Sequence, residues 1–246
     1  MMQPPSKPHT LRQVRSIIRQ NKTLSSEEAK RFFKTGKDHY GEKDKFIGIT
    51  VPNLRKIAKQ FYDVDLLILQ KLLESDFNEE RLLALFILIN QYNNADLVLQ
   101  NKLFQFYLKN LGYVNNWNLV DASAHLIIGQ HLSNKSRAIL LKLAKSKIMW
   151  ERRVAIVSTW AFIKQDDLDL TLKIAHILLQ DNHDLIHKSV GWMLRELGKR
   201  DEKTLRKFLD QYAEVMPRTM LRYAIEKFSP ALKNNYMKLK MIRSKS

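Results

Sequence analysis

Trp117 and Asp121 stand four residues apart in Asn115-Asn116-Trp117-Asn118-Leu119-Val120-Asp121-Ala122-Ser123-Ala124, inside an apolar helical pattern. On a helix, residues i and i+4 share a face. An indole and a carboxylate therefore project side by side near a helix start. An ionised carboxylate is costly to bury without a partner, so this face lines a groove or meets a cation. Such a pair could stabilise positive charge that develops on a substrate.

Three further clusters carry charge that could meet an anion. Lys188, Trp192, Arg195 and Lys199 follow i, i+4, i+7 and i+11 spacing and fall on one helix face. Cations interleaved with an aromatic ring suit phosphates and a sugar or base. A solvated basic face with Trp192 half in the core fits the same spacing. Arg152 and Arg153 open a helix after Trp150 and Glu151. Cations there oppose the helix dipole, which points to an external anion or to a salt bridge with Glu151 or another acid. Arg218 and Arg222 are again i and i+4, and Lys227, Lys233, Lys238, Lys240, Arg243 and Lys245 continue the basic run. Asp121 and His125 could be imagined as metal ligands. Two ligands make a poor zinc site, so a hydrogen-bonded pair is the ordinary reading, and no metal or cofactor is expected. Walker, dinucleotide, zincin and nucleophile-elbow patterns are absent.

The elements that position these residues read as helices throughout. Thr10 caps a first segment, and Ser25 with Glu28 forms a capping-box pattern. The stretch from Lys34 to Gly48 is polar, holds Gly36, Gly41 and Gly48, and reads as a loop. Pro52 suits the first turn of a helix with Leu54, Ile57, Ala58 and Phe61 inside. Further amphipathic segments fall at about 65–74, 79–92, 96–110, 116–132, 135–146, 149–164, 167–180, 183–199, 202–215, 217–228 and 230–241. No stretch alternates at period two, so the fold class is all-α.

Small and aliphatic residues recur with a period in the mid-thirties, as at Val154-Ala155 and Val190-Gly191. That period suggests an α-solenoid of HEAT-like helical-hairpin repeats, with a concave basic groove carrying Asp121, Arg153 and Trp192. The expected organisation is a flexible tail at 1–9, one domain over 10–241 and a basic tail at 242–246.

Composition narrows the partners. The 246 residues contain 42 Lys and Arg against 25 Asp and Glu, a net charge of +17. That field favours polyanions, nucleic acid before an acidic membrane surface. There are no cysteines, which excludes disulfides and thiolate metal sites. The N-terminal MMQPPSKPHT lacks the apolar core of a signal peptide. The apolar run Leu82 to Ile89 is too short to span a bilayer. A cytoplasmic monomer is expected.

The chain resembles the DNA alkylation repair enzyme family, the AlkD-like glycosylases with HEAT-like repeats. The matching pieces are Phe46-Ile47-Gly48-Ile49 with Pro52, Asn116 through Asp121, Trp150 through Ala155, Lys188 through Glu196, and Met216-Pro217-Arg218-Thr219. They cover about residues 25–230. The resemblance implies excision of positively charged N3- and N7-alkylated purines from duplex DNA, with the damaged pair left largely stacked. It implies that Asp121 is the catalytic carboxylate beside Trp117 and that Trp192 is the second indole. It also implies that Arg153 is the active-site arginine, with Arg152 the fallback. Arg152, Lys188, Arg195, Lys199, Arg218 and Arg222 become DNA contacts. Thr50 and Val51 replace a polar pair of other members. The alternatives are a non-catalytic DNA-binding repeat protein, motivated by charge alone, and a peptide-binding scaffold.

Overall fold

A computed structural model describes residues 9–37 and 39–239. Most of the expected N-terminal tail, and Lys240, Arg243 and Lys245 with the rest of the C-terminal tail, lie outside the described residues. Among the described residues the protein is all-α, with no strand and one isolated bridge between Lys45 and Phe77. No described helix is long and apolar enough to cross a membrane. The chain gathers into two compact units that divide between Ser123 and Ala124.

The first unit holds α1 (Leu11–Gln20), α2 (Ser26–Lys30), α3 (Val51–Gln60), α4 (Leu66–Leu73), α5 (Asn78–Asn93), α6 (Leu97–Lys109) and most of α7 (Trp117–Ala124). The expected caps form. The Thr10 hydroxyl accepts from Gln13 N–H, and Ser25 and Glu28 cap each other reciprocally. Pro52 sits in the first turn of α3, whose Leu54, Ile57 and Ala58 are buried. α5 is the core of the unit. Residues 78–89 are buried without interruption, and α3, α4 and α6 pack on it. A helix apolar all round must be enclosed, which explains its weak amphipathicity.

The first turn of α5 is polar and buried, so every charge there needs a partner. Glu79 accepts from the backbone N–H groups of Ile47 (3.0 and 3.1 Å) and Gly48 (2.9 Å). Glu80 takes Arg15 and Arg19 at 2.9 and 3.3 Å. Arg81 pairs with Asp44 at 2.6 Å. The polar loop before α3 is thus fastened to α5 by carboxylates. Gly48 has φ +94°, and a Cβ there would lie 2.0 Å from the Leu24 carbonyl oxygen. That carbonyl approach and the left-handed backbone leave room for glycine only.

The second unit holds α8 (Ala138–Ala144), α9 (Met149–Ser158), α10 (Trp160–Ile163), α11 (Asp169–Ile177), α12 (Asp184–Gly198), α13 (Glu202–Tyr212), α14 (Arg218–Ala224) and α15 (Pro230–Lys238). α12 is its centre, packed by α9, α11, α13 and α14. Gly191 lets α14 approach closely, since a Cβ there would meet the Met220 carbonyl oxygen at 2.4 Å. The segments expected at 116–132 and 149–164 are each interrupted. The first becomes α7 followed by a π-helical turn at His125–Gly129. The second breaks at Thr159, whose hydroxyl donates to the Ile156 carbonyl at 2.7 Å. A hydroxyl that bonds backward in this way bends a helix.

Candidate active site

In the first unit, α7 positions the Trp–Asp pair. Leu119, Val120 and Ser123 are fully buried and form its inner face. The Ser123 hydroxyl donates to the Leu119 carbonyl at 2.6 Å and lies 2.8 Å from the Tyr107 hydroxyl. Burial pushes the Tyr107 phenol well above its ordinary pKa, so it stays neutral and packs. Asn116 donates to Asp44 at 2.6 Å and ties down the start of the helix. The alternate face carries Trp117, Asn118, Asp121 and Ala122. All four line a cavity of about 550 Å³ inside this unit.

The cavity wall is mostly apolar, with aromatic rings set among aliphatic side chains. Phe33 stacks between Trp117 and Phe46, at 5.4 and 4.7 Å between centroids and 28° between planes in both pairs. Phe32 and Phe86 complete the rings. Two polar groups of the wall are engaged within it: Asn118 donates to the Asn78 side-chain oxygen at 2.7 Å, and Glu79 holds the backbone N–H groups of Ile47 and Gly48. Asp121 is half-buried beside Trp117. A carboxylate beside electron-rich rings in a partly dry recess can stabilise developing positive charge. Thr50 and Val51 also border this cavity.

In the second unit, Trp192 is half-buried and meets Trp160 edge-on at 5.1 Å. Trp160 in turn lies 4.5 Å from the His125 ring, with the Lys164 ammonium 4.3 Å over its face. Arg153 is 4% exposed and donates to the Leu185 carbonyl, which joins α9 to the start of α12. Arg152 pairs with Asp181 at 2.5 Å, not with Glu151, and also donates to the carbonyls of Ser146 and Lys147.

The basic face of α12 forms with the expected spacing, but each cation on it has an acidic neighbour. Lys188 pairs with Asp184 at 2.6 Å, Arg195 with Glu226 and Glu196, and Lys199 with Glu196 at 2.8 Å. Arg218 donates to the carbonyls of Met237 and Leu239, while Arg222 is exposed. Among the described residues no three potential metal ligands gather.

Sequence reasoning passed over Phe33 and Trp160 as site residues. Phe33 follows the capping box as an ordinary apolar residue, and its role appears only once the loop folds back on α5. Trp160 carried one usable signal: an indole immediately after a run of buried helix, four residues before Lys164.

The structure resembles a solved protein described as a predicted DNA alkylation repair enzyme from Enterococcus faecalis. The TM-score is 0.63 at 15% identity, covering 83% of this chain and 95% of that one. At that identity the likeness speaks for the fold alone. No curated protein matches the chain. The family model for the DNA alkylation repair enzyme matches residues 16–228. The chain therefore belongs to the DNA alkylation repair enzyme family.

Proposed function

We infer that the protein is a monofunctional DNA glycosylase that hydrolyses the N-glycosidic bond of positively charged N3- and N7-alkylated purines in duplex DNA. The observation that carries this reading is Asp121, half-buried beside Trp117 on the wall of a mostly apolar cavity. A cationic alkylpurine leaves as a neutral base, so no general acid is required. Positive charge develops on the deoxyribose instead. Asp121 stabilises that charge and orients the attacking water, and Trp117 offers its ring to the same cation. On the family resemblance, the reading assigns Trp192 and Arg153 to the same reaction, with Arg152 the alternative arginine. Neither metal nor cofactor enters this chemistry.

Duplex contacts are assigned to Lys188, Arg195, Lys199, Arg218 and Arg222. The net charge of +17 supports a phosphate-tracking partner. The acidic neighbours of Lys188, Arg195 and Lys199 make these contacts an exchange of partners: a phosphate takes the place of a carboxylate. The protein acts as a cytoplasmic monomer in this reading.

The test is release of 7-methylguanine from methylated duplex DNA by wild type and Asp121→Asn. Asp121→Asn is expected to lose about 10²–10⁴-fold in rate, about 3–5 kcal/mol of barrier, while still binding the duplex. Equal release by the two proteins removes Asp121 from its role. Salt-dependent duplex binding by wild type with no base release favours a non-catalytic DNA-binding protein instead.

A further inference from the structure

We propose that the outer face of α1 is an additional binding site for the phosphodiester backbone of duplex DNA. The proposal rests on the reading above only in taking the duplex as partner. Arg12, Arg15 and Arg19 follow i, i+3 and i+7 spacing and share one face of the helix. With Leu11 and Ser16 they line a shallow recess of the first unit. None of these residues borders the cavity beside Trp117.

Two of the three arginines are set in place before any anion arrives. The Glu80 side chain is 1% exposed, and Arg15 Nε and Arg19 Nη2 donate to its two oxygens at 2.9 and 3.3 Å. Arg19 also donates to the Arg15 carbonyl at 3.1 Å and lies 5.8 Å from the Phe77 ring centre. A guanidinium carries five N–H donors, so both arginines keep donors for a further partner. Their side chains remain 37% and 50% exposed. An anion that meets them has less side chain to order. Among the described residues no acid pairs with Arg12. Three guanidiniums above one buried carboxylate leave positive charge in excess. The Ser16 hydroxyl accepts from the Gln20 amide at 3.3 Å, which leaves its own hydrogen to donate.

The extent of the row sets the partner. Arg12 to Arg19 runs about 10 Å along the helix axis, the rise of about three nucleotides of one DNA strand. A lone phosphate would meet only part of it. A membrane surface fits less well, because Val14 and Ile18 on the apolar face of α1 are fully buried in the fold and leave no such face to lay into a bilayer. The row also differs from α12, where Lys188, Arg195 and Lys199 each have an acid beside them that is more exposed than Glu80. On α1 the acid is withdrawn from water and Arg12 has no partner to exchange.

The test follows binding of undamaged duplex DNA to the full chain by fluorescence anisotropy over a salt series. Arg12→Gln breaks no ion pair among the described residues, so the variant is expected to fold as wild type does. It is expected to bind about fivefold more weakly near 0.1 M salt, with a salt slope shallower by about 0.9, the value of one phosphate contact. Lys102→Gln removes another exposed cation of the same unit and is expected to leave the slope unchanged. An unchanged slope in Arg12→Gln, or an equal change in Lys102→Gln, overturns the proposal. Loss of binding to phosphatidylserine vesicles in Arg12→Gln, with duplex binding intact, also overturns it and assigns the row to a membrane. If wild type does not bind the duplex, the reading above falls and this proposal falls with it. A shallower slope in Arg12→Gln, with no base release from methylated duplex by wild type, keeps the site and sinks only the glycosylase reading.

Discussion

The two units use their acidic residues in opposite ways. In the first, Asp44, Glu79 and Glu80 are withdrawn from water and hold architecture together: Arg81, two backbone N–H groups, and the pair Arg15 and Arg19. Asp121 borders a cavity. In the second, Asp184, Glu196 and Glu226 neighbour the α12 cations that the proposed function assigns to phosphate. That unit draws its cohesion from close helix crossings such as Gly191 on α14. One half of the chain invests its acids in shape, and the other uses them to temper its positive field.

The sharpest way to break this contrast is Glu79→Ala. It leaves the Ile47 and Gly48 N–H groups buried without an acceptor, at about 1–3 kcal/mol each. Chemical denaturation is expected to show a loss of roughly 2–6 kcal/mol; a loss below 1 would make the carboxylate ornamental. Next is Gly191→Ala, whose methyl would press on Met220 and Tyr223. Overpacking of this kind costs about 1–3 kcal/mol, read from the urea midpoint. If the alanine is neutral, α12 and α14 are not held by their closeness.

A smaller effect tests the tempering of charge. Glu226→Gln removes an acid from Arg195. The variant is expected to bind duplex DNA more tightly, with a salt slope steeper by up to about 1. An unchanged slope would show that Arg195 meets no phosphate.

The smallest concerns His131, whose Nε2 lies 2.9 Å from the Lys135 ammonium. Burial and then that ammonium lower its pKa below the ordinary 6.5. The unfolded imidazole takes up a proton more readily than the folded one. Stability is therefore complete above about pH 6.5 and falls as the pH drops through that value toward the lowered one. Thermal midpoints of His131→Gln are expected to vary less with pH below about 6.5 than those of wild type.

Much of the helical order was legible because it rests on local signals. Capping at Thr10 and Ser25, Pro52 at the start of α3, and the periodicity of Leu54, Ile57 and Ala58 all act within one or two turns. Gly191 was legible as a small residue at a helix crossing. The π-helical turn after α7 and the break at Thr159 were not, because both leave the apolar pattern almost intact. The long-range partners of the cations were hidden for another reason. Arg152 and Asp181 lie 29 positions apart, Arg195 and Glu226 31, and no helical period links residues so distant. The cavity depends on a loop with no regular structure, so its Phe33–Trp117 stack had no sequence signature. The placement of Asp121 and Trp117 on one face was legible from spacing alone.

That loop has a consequence for how the recess could change over generations. Its Phe46 ring stands where it does because the neighbouring peptide groups of Ile47 and Gly48 are gripped from α5. Among the described residues none between Phe33 and Phe46 lines the cavity, so variation in the length of that span reaches the recess only through the placement of these two rings. Relatives of differing loop length should therefore keep the fastening carboxylate, because it and not the span sets where the Phe46 ring comes to rest.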